Sequence, residues 1–359
     1  MDIEIISSYY GAISRIMDSE YHISVIGEDG KLLGDDWKEM CRRTANNGAS
    51  GMREMPFWLE KQQDHIFAPY IFTDGKFDLN QFNPLYFENL RKMVDIANSY
   101  NLKFYFSLYE ACNIKERYGK RDFVPWTNNV QGLRNAWYKR DADDYREAWE
   151  NKILETFEGK NVGYELCNEP LDMDFQHSGF ETYKRLISRD VPDEDIVMGV
   201  EWDTREYRNF REPFLETYHD HWWNKQKHKW FSTVHNLSAK TFEKLSLQEG
   251  HTRRFWLSAD GWHPKPNQIW WENSLRDFFR TVPTAPFKNK YAFETMHKKD
   301  EDDFDDARGI SEIINEVTGS YPPNFDKFKD DGGNGGDGGR GPRRRRHEDR
   351  ERGPRRRRR

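Results

Sequence analysis

The stretch "NPLYFENLRKMVDIANSYNLKFYFSLYE", residues 83 to 110, holds a complete helix signal followed at once by a strand signal. Asn83 can cap a helix, Pro84 suits the first helical position, and apolar residues recur at helical spacing from Phe87 to Ala97. The segment "KFYFSLYE" that follows is short and rich in aromatic residues, which is typical of a strand. The pattern predicts one unit of a repeating α/β fold.

The same alternation of short strand-like and longer helix-like segments runs through most of the chain. Strands are predicted at 22–28, 48–58, 103–110, 161–169, 195–202, 229–236, 253–261 and 290–296. Helices are predicted at 35–47, 83–100, 140–158, 179–188, 205–224, 239–248, 267–282 and 303–318. Eight strands and eight helices in alternation predict a single (β/α)8 TIM barrel. The other candidate, a doubly wound open sheet, usually carries a GxGxxG loop, and "GEDGKLLG" lacks that spacing.

The composition is polar, with 36% hydrophobic and 33% charged residues, yet the 359 residues include 13 Trp, 17 Tyr and 24 Phe. Aromatic side chains are therefore expected to carry much of the burial or to line a site. Residues 340 to 359 contain twelve Arg against three acidic residues, which leaves 44 basic and 59 acidic residues, a net charge of −15, in residues 1 to 339. This acidic body argues against a nucleic-acid-binding fold, because phosphate contacts need a positive surface.

From residue 321 onward the sequence becomes rich in Gly and Arg, and it has almost no apolar residues after Phe328. Such a segment cannot bury enough apolar surface to order itself. We therefore predict a barrel domain at residues 1–320 and a disordered Gly/Arg-rich C-terminal tail at residues 321–359. The Arg runs suit a nucleic acid, another anionic surface or the acidic body, and a solvated tail without a partner is the alternative.

Several kinds of chemistry lack their usual sequence signals. Cys41, Cys112 and Cys167 are far apart and lack metal-ligand spacing, and neither HExxH nor GxSxG occurs, so no metal, cofactor or serine nucleophile is predicted. The N-terminal segment lacks the basic region of a secretory signal, and no apolar run is long enough to span a bilayer. These signals favour a soluble protein in a reducing, intracellular compartment.

In a (β/α)8 barrel the active site lies at the carboxyl ends of the strands. The polar residues and tryptophan at the predicted strand ends are Arg53, Glu54, Glu110, Asn168, Glu169, Glu201, Trp202, Asp203, His235, Asn236, Asp260 and Glu294. This ring is rich in carboxylates, and two neighbouring carboxyl groups can divide the roles of acid and nucleophile that glycoside hydrolysis requires. Trp202 and Trp262 would offer flat apolar faces to sugar rings, although Trp also fills the space between barrel and helices.

The segment "GYELCNEP", residues 163 to 170, resembles a fourth-strand motif of the clan A glycoside hydrolases, particularly the family 5 cellulase-like enzymes. The resemblance covers residues 20 to 318 and is most specific at Asn168 and Glu169. It implies that Glu169 is the acid/base and that Asn168 binds substrate. It also matches Arg53 to an Arg at the second strand end and His235 to a His after the sixth strand.

The chain departs from that family pattern in three places. The family usually has a His near the third strand end, where this chain has "SLYEACN", and a Tyr two residues after the sixth-strand His, where it has Leu237. The family nucleophile is a Glu at the end of the seventh strand, whereas the seventh predicted strand here ends in "LSADG", which gives Asp260. Glu294 lies on the eighth predicted strand, so either Glu294 or Asp260 is the second carboxylate.

The resemblance implies an O-glycosyl hydrolase that cleaves a β-linked oligo- or polysaccharide with two carboxyl groups and a retaining mechanism. Catalytic roles fall to Glu169 and to Glu294 or Asp260. The alternative, favoured by the departures, is a catalytically silent barrel that binds glycan or serves a structural role, with the Arg-rich tail as a tether to an anionic partner.

Overall fold

The computed structural model describes residues 3–9, 12–13, 25–55, 66–109, 124–133, 140–168, 175–192, 195–197, 230–233, 254–258, 291–296 and 305–325. The strands among them are β1 (Ile3–Tyr9), β2 (Gly51–Glu54), β3 (Tyr70–Thr73), β4 (Lys76–Phe82), β5 (Lys103–Ser107), β6 (Val162–Glu165), β7 (Ile196–Val197), β8 (Trp230–Thr233), β9 (Arg254–Ser258) and β10 (Tyr291–Met296). The helices are α1 (Gly34–Asn46), α2 (Pro84–Ser99), α3 (Asp143–Thr156), α4 (Phe175–Ser188) and α5 (Asp305–Thr318). The chain divides into two compact units, Met1–Phe328 and Lys329–Arg359, and all of these elements lie in the first.

Eight parallel strands are hydrogen-bonded in the closed order β1-β10-β9-β8-β7-β6-β5-β2. Ile6 of β1 pairs with Gly51 on one side and with Glu294 on the other. When the paired residues are followed from Ile6 through all eight strands, the path returns to β1 at a position eight residues away from Ile6. That offset equals the shear of (β/α)8 barrels. The predicted α/β barrel is confirmed at this level.

The first predicted strand, at 22–28, is wrong. The barrel begins instead with β1, and Ile26 forms an isolated antiparallel bridge with Leu32 outside the barrel strands. The chain turns back at Glu28–Gly30, where Gly27 N–H donates to the Lys31 carbonyl at 2.8 Å, so a barrel strand cannot continue there. The other seven predicted barrel strands overlap β2 and β5 to β10, and their numbering around the barrel stands.

The helical half of the repeat is described in part. Five predicted helices, 35–47, 83–100, 140–158, 179–188 and 303–318, coincide closely with α1 to α5. The predicted helices at 205–224, 239–248 and 267–282 lie outside the described residues. None of the five described helices combines the length and the apolar character needed to cross a membrane.

Helix α2 begins where its sequence predicts. Asn83 caps it, because the Asn83 side-chain oxygen accepts a hydrogen bond from Leu85 N–H at 3.2 Å, and Pro84 occupies the first turn. The buried face includes Phe87, Leu90 and Met93, which pack toward β5 and the other helices. This unit is the clearest example of local signals agreeing with the fold.

Aromatic side chains fill the layer between the barrel wall and α2 and α3. Trp149 of α3 lies within 6.5 Å, between ring centroids, of Tyr70, Tyr86, Phe87, Phe106 and Trp126. Its indole N–H donates to the Leu108 carbonyl at 2.9 Å, so the buried ring has a polar partner. The expectation that aromatics carry much of the burial holds in this layer.

A β-hairpin outside the barrel joins β2 to α2. Strands β3 and β4 are antiparallel, and the turn between them places Asp74 at φ 52° and Gly75 at φ 80°, the left-handed conformations of a tight hairpin turn. The Asp78 carboxylate accepts from Gln81 and Gln131 side chains, which ties β4 to residues 124–133.

Inside the barrel, Tyr105 of β5 packs with Ile6 and Val197. Gly163 and Gly51 leave space for its ring, since a Cβ added at Gly163 would overlap the ring carbons. The part of the interior whose side chains are described, around Tyr105, is therefore filled, as in other small barrels.

The end of the described chain packs on the loop that leads into β2. The Asn324 side-chain amide donates to the Ala49 carbonyl at 2.9 Å, and Ser311 of α5 donates to the Asn47 carbonyl at 2.6 Å. Tyr321 and Phe325 stack with ring centroids 4.1 Å apart. The first five residues of the predicted tail, 321–325, are therefore packed, and the rest of it, 326–359, lies outside the described residues.

Candidate active site

The carboxyl ends of the parallel strands lie at one end of the barrel, and polar side chains follow there. Arg53 is in the last half of β2, and Asn168 comes three residues after β6 ends. Arg53 Nη2 donates to Asn168 Oδ1 at 2.6 Å. The structure therefore brings together two candidates that are 115 residues apart in sequence.

Glu165, the last residue of β6, is the second partner of Arg53. Arg53 Nε donates to Glu165 Oε2 at 2.8 Å, and Nη2 donates to Glu165 Oε1 at 2.9 Å. The side chains of Arg53 and Glu165 are 3% and 0% exposed. Two hydrogen bonds from one guanidinium group to one carboxylate, with Nη2 also 2.6 Å from Oε2, fix the plane of the guanidinium group, so this ion pair sets the direction in which Nη2 faces Asn168.

The main chain of Asn168 is fixed as well. Asn168 N–H donates to the Tyr109 carbonyl at 2.8 Å, and the same carbonyl accepts from the Ser107 hydroxyl at 3.0 Å. One residue earlier on that strand, Leu108 N–H donates to the Glu165 carbonyl at 2.8 Å. Hydrogen bonding between the β5 and β6 segments therefore continues past both strands and carries Asn168 with it.

A second buried carboxylate, Glu150 of α3, lies on the helical side of the same wall. Its Oε1 accepts from the Tyr109 hydroxyl at 2.9 Å, from the Thr182 hydroxyl at 2.7 Å and from Arg185 Nη2 at 2.9 Å. Arg185 Nε forms an ion pair with Glu150 Oε2. Burial, reinforced by the negative charge of Glu150, raises the pKa of Tyr109 well above its usual value, so this phenol stays a donor.

Glu294 is placed by its register. It lies within β10, the eighth strand of the barrel, and it pairs with Ile6 of β1 and with Ser258, the last residue of β9. Strand β9 is the seventh strand of the barrel. Asp260 therefore follows the seventh strand in sequence and Glu294 lies on the eighth, which agrees with the strand count predicted from the sequence. Glu169, Asp260, His235, Trp202 and Trp262 lie outside the described residues.

Sequence reasoning missed Glu165. Glu165 is not among the candidates at the predicted strand ends, yet its carboxylate is a described ion-pair partner of Arg53. A signal was present, because "NVGYEL" is an otherwise uncharged strand with one acidic side chain at a position that must be buried. A buried carboxylate requires a cation, and Arg53 on another strand end was the available one.

Metal-binding groups are absent from this part of the molecule: no three His, Cys, Asp or Glu side chains within the described ranges are placed to hold an ion. Cys167 is fully buried beside Asn168, and its Sγ lies 3.2 Å from the Asn168 carbonyl oxygen. The described chemistry at this end of the barrel is therefore that of carboxylates, a guanidinium and an amide.

Neither a protein-family model nor a curated protein sequence matches this chain. Solved structures do. The endo-1,4-β-mannanase of Rhizomucor miehei matches with a TM-score of 0.51 and 14% identity, over 80% of this chain and 91% of that one. GH5_18 of Streptomyces cattleya in complex with GlcNAc matches with a TM-score of 0.55 and 12% identity, over 89% and 82%.

In fold, the chain resembles the family 5 glycoside hydrolases. A variant of the Streptomyces cattleya protein in complex with Manβ1-4GlcNAc gives the same result, with a TM-score of 0.52 and 12% identity over 89% of this chain and 82% of that one. Identities of this size establish a shared fold. The chemistry of this chain has to be argued from its own residues.

Proposed function

We propose that this protein is a glycoside hydrolase that cleaves a β-linked glycan with two carboxyl groups and retention of anomeric configuration. The observation that carries the proposal is the Arg53–Asn168 hydrogen bond at the carboxyl end of the barrel. It fixes a polar amide at the residue immediately before Glu169, in a fold shared with glycan-cleaving enzymes. Consecutive Cα atoms are about 3.8 Å apart, so the proposed acid/base directly follows a residue whose side chain and main chain are both held.

Glu169 is the proposed acid/base. In the first step it gives its proton to the glycosidic oxygen as the bond to the leaving group breaks, and a second carboxylate bonds to the anomeric carbon. In the second step the Glu169 carboxylate takes a proton from water, and that water displaces the enzyme carboxylate. The two carboxyl groups of such an enzyme lie about 5–5.5 Å apart.

Glu294 is the proposed nucleophile, and Asp260 is the alternative. Support for Glu294 comes from its register, because residue 294 is level with Ser258, the residue that ends the seventh strand. A nucleophile at that level would reach the barrel end where Asn168 is held. Asp260 lies only two residues after Ser258 in the sequence, so the register alone does not separate Asp260 from Glu294. Azide rescue of the two alanine variants separates them.

The remaining candidates are proposed to bind substrate. Arg53 and Asn168 would orient the sugar hydroxyl next to the reacting carbon, with His235 beside them. Trp202 and Trp262 would stack on sugar rings. The names of the structural neighbours, a β-1,4-mannanase and a protein bound to Manβ1-4GlcNAc, make β-mannosides the first substrates to try.

The complete (β/α)8 alternation and the domain division are proposed alongside. The sequence places the boundary at residue 320, and because residues 321–325 are packed, the disordered tail is proposed for the residues after Phe325. Twelve Arg in residues 340–359 suit a nucleic acid or another anionic surface, which stays a prediction for the tail alone.

The test is turnover on a panel of β-linked glycans and aryl β-glycosides, with anomeric configuration followed by NMR. We expect wild-type turnover with retention, and a loss of about 10²–10⁴-fold in Glu169→Gln, the usual contribution of a general acid. In Glu294→Ala, azide would replace the missing nucleophile and give the α-glycosyl azide. The same rescue in Asp260→Ala instead would exchange the two assignments.

Two results would overturn the proposal. Full activity in Glu169→Gln would remove Glu169 from the mechanism. Glycan binding by the wild type without turnover on any substrate would favour the silent barrel that binds glycan.

A further inference from the structure

We infer that Glu165 is a positioning residue, which acts through Arg53 to fix the side-chain amide of Asn168 for substrate. The inference rests on the proposed function for the role of Asn168 as a substrate-binding residue. It adds a residue that touches neither the glycan nor the reacting atoms. The three side chains form one relay, from a strand end through a guanidinium to an amide.

The relay depends on a shared nitrogen. Arg53 Nη2 carries two hydrogens, and it donates to Glu165 Oε1 at 2.9 Å and to Asn168 Oδ1 at 2.6 Å. Because Nε of the same planar group is bonded to Glu165 Oε2 at 2.8 Å, the guanidinium cannot rotate without breaking its contact with the carboxylate. Glu165 therefore decides where the Nη2 hydrogen that meets Asn168 is aimed.

The relay also fixes which way the Asn168 amide faces. A guanidinium group has only donors, so the Asn168 atom that it meets must be the oxygen. The NH2 group of the amide then points away from the guanidinium, in a direction in which it can donate to an acceptor such as a sugar hydroxyl. A loose Asn side chain would populate both orientations, and only one of them offers a donor.

The anchor of the relay is rigid. Glu165 lies on β6, paired with Ser107 of β5 and Val197 of β7, and its side chain is fully buried. Buried ion pairs are weak contributors to stability, since desolvation offsets most of their attraction. The pair in the barrel interior is thus better explained by the orientation that it gives to Asn168 than by a contribution to folding stability. Groups held on strands are also positioned more accurately than groups on loops.

The experiment uses Glu165→Gln, which keeps the shape of the side chain, with Glu150→Gln as the matched control. Glu150 is also buried and also paired to an Arg, but on the helical side of the wall. We expect Glu165→Gln to lower kcat about 100-fold, the order expected when a binding group is misplaced by about 1 Å, and Glu150→Gln to leave kcat unchanged.

Two comparisons separate positioning from general damage to the fold. The loss in Glu165→Gln should disappear when a 2-deoxy aryl glycoside replaces the parent substrate, because no hydroxyl is then left for Asn168. The double variant Glu165→Gln/Asn168→Ala should be no slower than Asn168→Ala alone. Equal losses on both substrates, or additive losses in the double variant, would overturn the inference while the hydrolase proposal stands.

A second measurement does not need activity. In protein labelled with [15N]asparagine, the NH2 resonances of Asn168, assigned by their loss in Asn168→Asp, should shift in Glu165→Gln and stay in place in Glu150→Gln. Unshifted resonances in Glu165→Gln would overturn the relay even if the wild type proves inactive. If Glu165→Gln does not fold, Glu165→Asp, which keeps the charge but shortens the reach, is taken through the same measurements.

Discussion

Two Arg–Glu pairs, each with a buried carboxylate, lie on opposite sides of the same stretch of barrel wall. Inside, Arg53 and Glu165 join β2 to β6 with side chains 3% and 0% exposed. Outside, Arg185 and Glu150 join α4 to α3 with side chains 19% and 1% exposed. The chemistry of the two pairs is the same, and their further partners differ.

The outer carboxylate gathers donors, from Tyr109, Thr182 and Arg185, and so locks two helices to the end of β5. In the inner pair the guanidinium of Arg53 donates a further hydrogen bond, to the side-chain amide of Asn168. The comparison teaches that an identical ion pair can hold elements of the fold together or, as proposed for Arg53 and Glu165, present a binding group. What distinguishes them is the group to which the remaining hydrogen-bonding capacity is directed.

The largest expected effect is on the coupling between the two members of each pair. Removing one member of a buried pair leaves an uncompensated charge and costs about 3–5 kcal/mol. We expect a double-mutant cycle of Arg53→Met and Glu165→Ala to give a coupling of that size. The cycle of Arg185→Met and Glu150→Ala should give about 1–2 kcal/mol, because the partly exposed Arg185 can turn to water. Free energies of unfolding from denaturant titrations supply both values.

Equal couplings for the two pairs would break the comparison, since the difference in exposure would then have no energetic consequence. A larger coupling outside than inside would reverse it.

The next effect concerns how tightly the inner region is filled. A Cβ at Gly163 would overlap the Tyr105 ring, which packs with Ile6 and Val197. We expect Gly163→Ala to lower the free energy of unfolding by about 1–3 kcal/mol, and Tyr105→Leu in the same chain to recover part of it. The control is Gly309→Ala in α5, where a Cβ meets nothing within 4 Å and the change should stabilise by about 0.5–1 kcal/mol. An unaffected Gly163→Ala would mean that the interior is loosely filled.

Elements governed by local signals were predictable from the sequence. Helix α2 has its cap, its proline and its apolar stripe within 16 residues, and the structure begins it at Pro84 as expected. Arg53 and Asn168 were site candidates because the barrel rule directs attention to strand ends, and the structure places their side chains in contact.

Elements decided by distant contacts were not predictable. The Arg53–Glu165 pair joins residues 112 apart, and the register of three strands has to be known before the two can be matched. The first barrel strand was missed because both faces of β1 are covered: Ile5 packs toward the helices and Ile6 into the interior, which removes the alternation that marks a strand. The β3–β4 hairpin has an Asp74–Gly75 turn signal in the sequence. It was not predicted, because it is inserted between a strand and the helix that follows it, where a regular βα repeat has only a loop.

The smallest effect sharpens the outer side of the comparison through pH. Tyr70 is buried, its hydroxyl has no hydrogen-bond partner among the described residues, and its pKa is raised well above the usual value by burial and then by the charge of Glu150. Because the folded-state pKa exceeds the unfolded value of about 10, the stability linked to this proton is intact below about pH 10 and is lost as the pH rises further. We expect Tyr70→Phe to reduce the alkaline loss by about 1.4 kcal/mol per pH unit, measured from unfolding curves above pH 10.

The Glu150→Gln background tests the cause. Without the carboxylate charge, burial alone holds the phenol neutral, so the alkaline loss in that background should set in over a narrower pH range, and Tyr70→Phe should gain less. At neutral pH, Tyr70→Phe should be neutral or stabilising by about 1 kcal/mol, because it removes a buried hydroxyl that makes no hydrogen bond. An alkaline slope that is the same with and without Tyr70 would show that the outer carboxylate does not act on this ring. The Arg185–Glu150 pair would then differ from the Arg53–Glu165 pair only in the arrangement of its contacts.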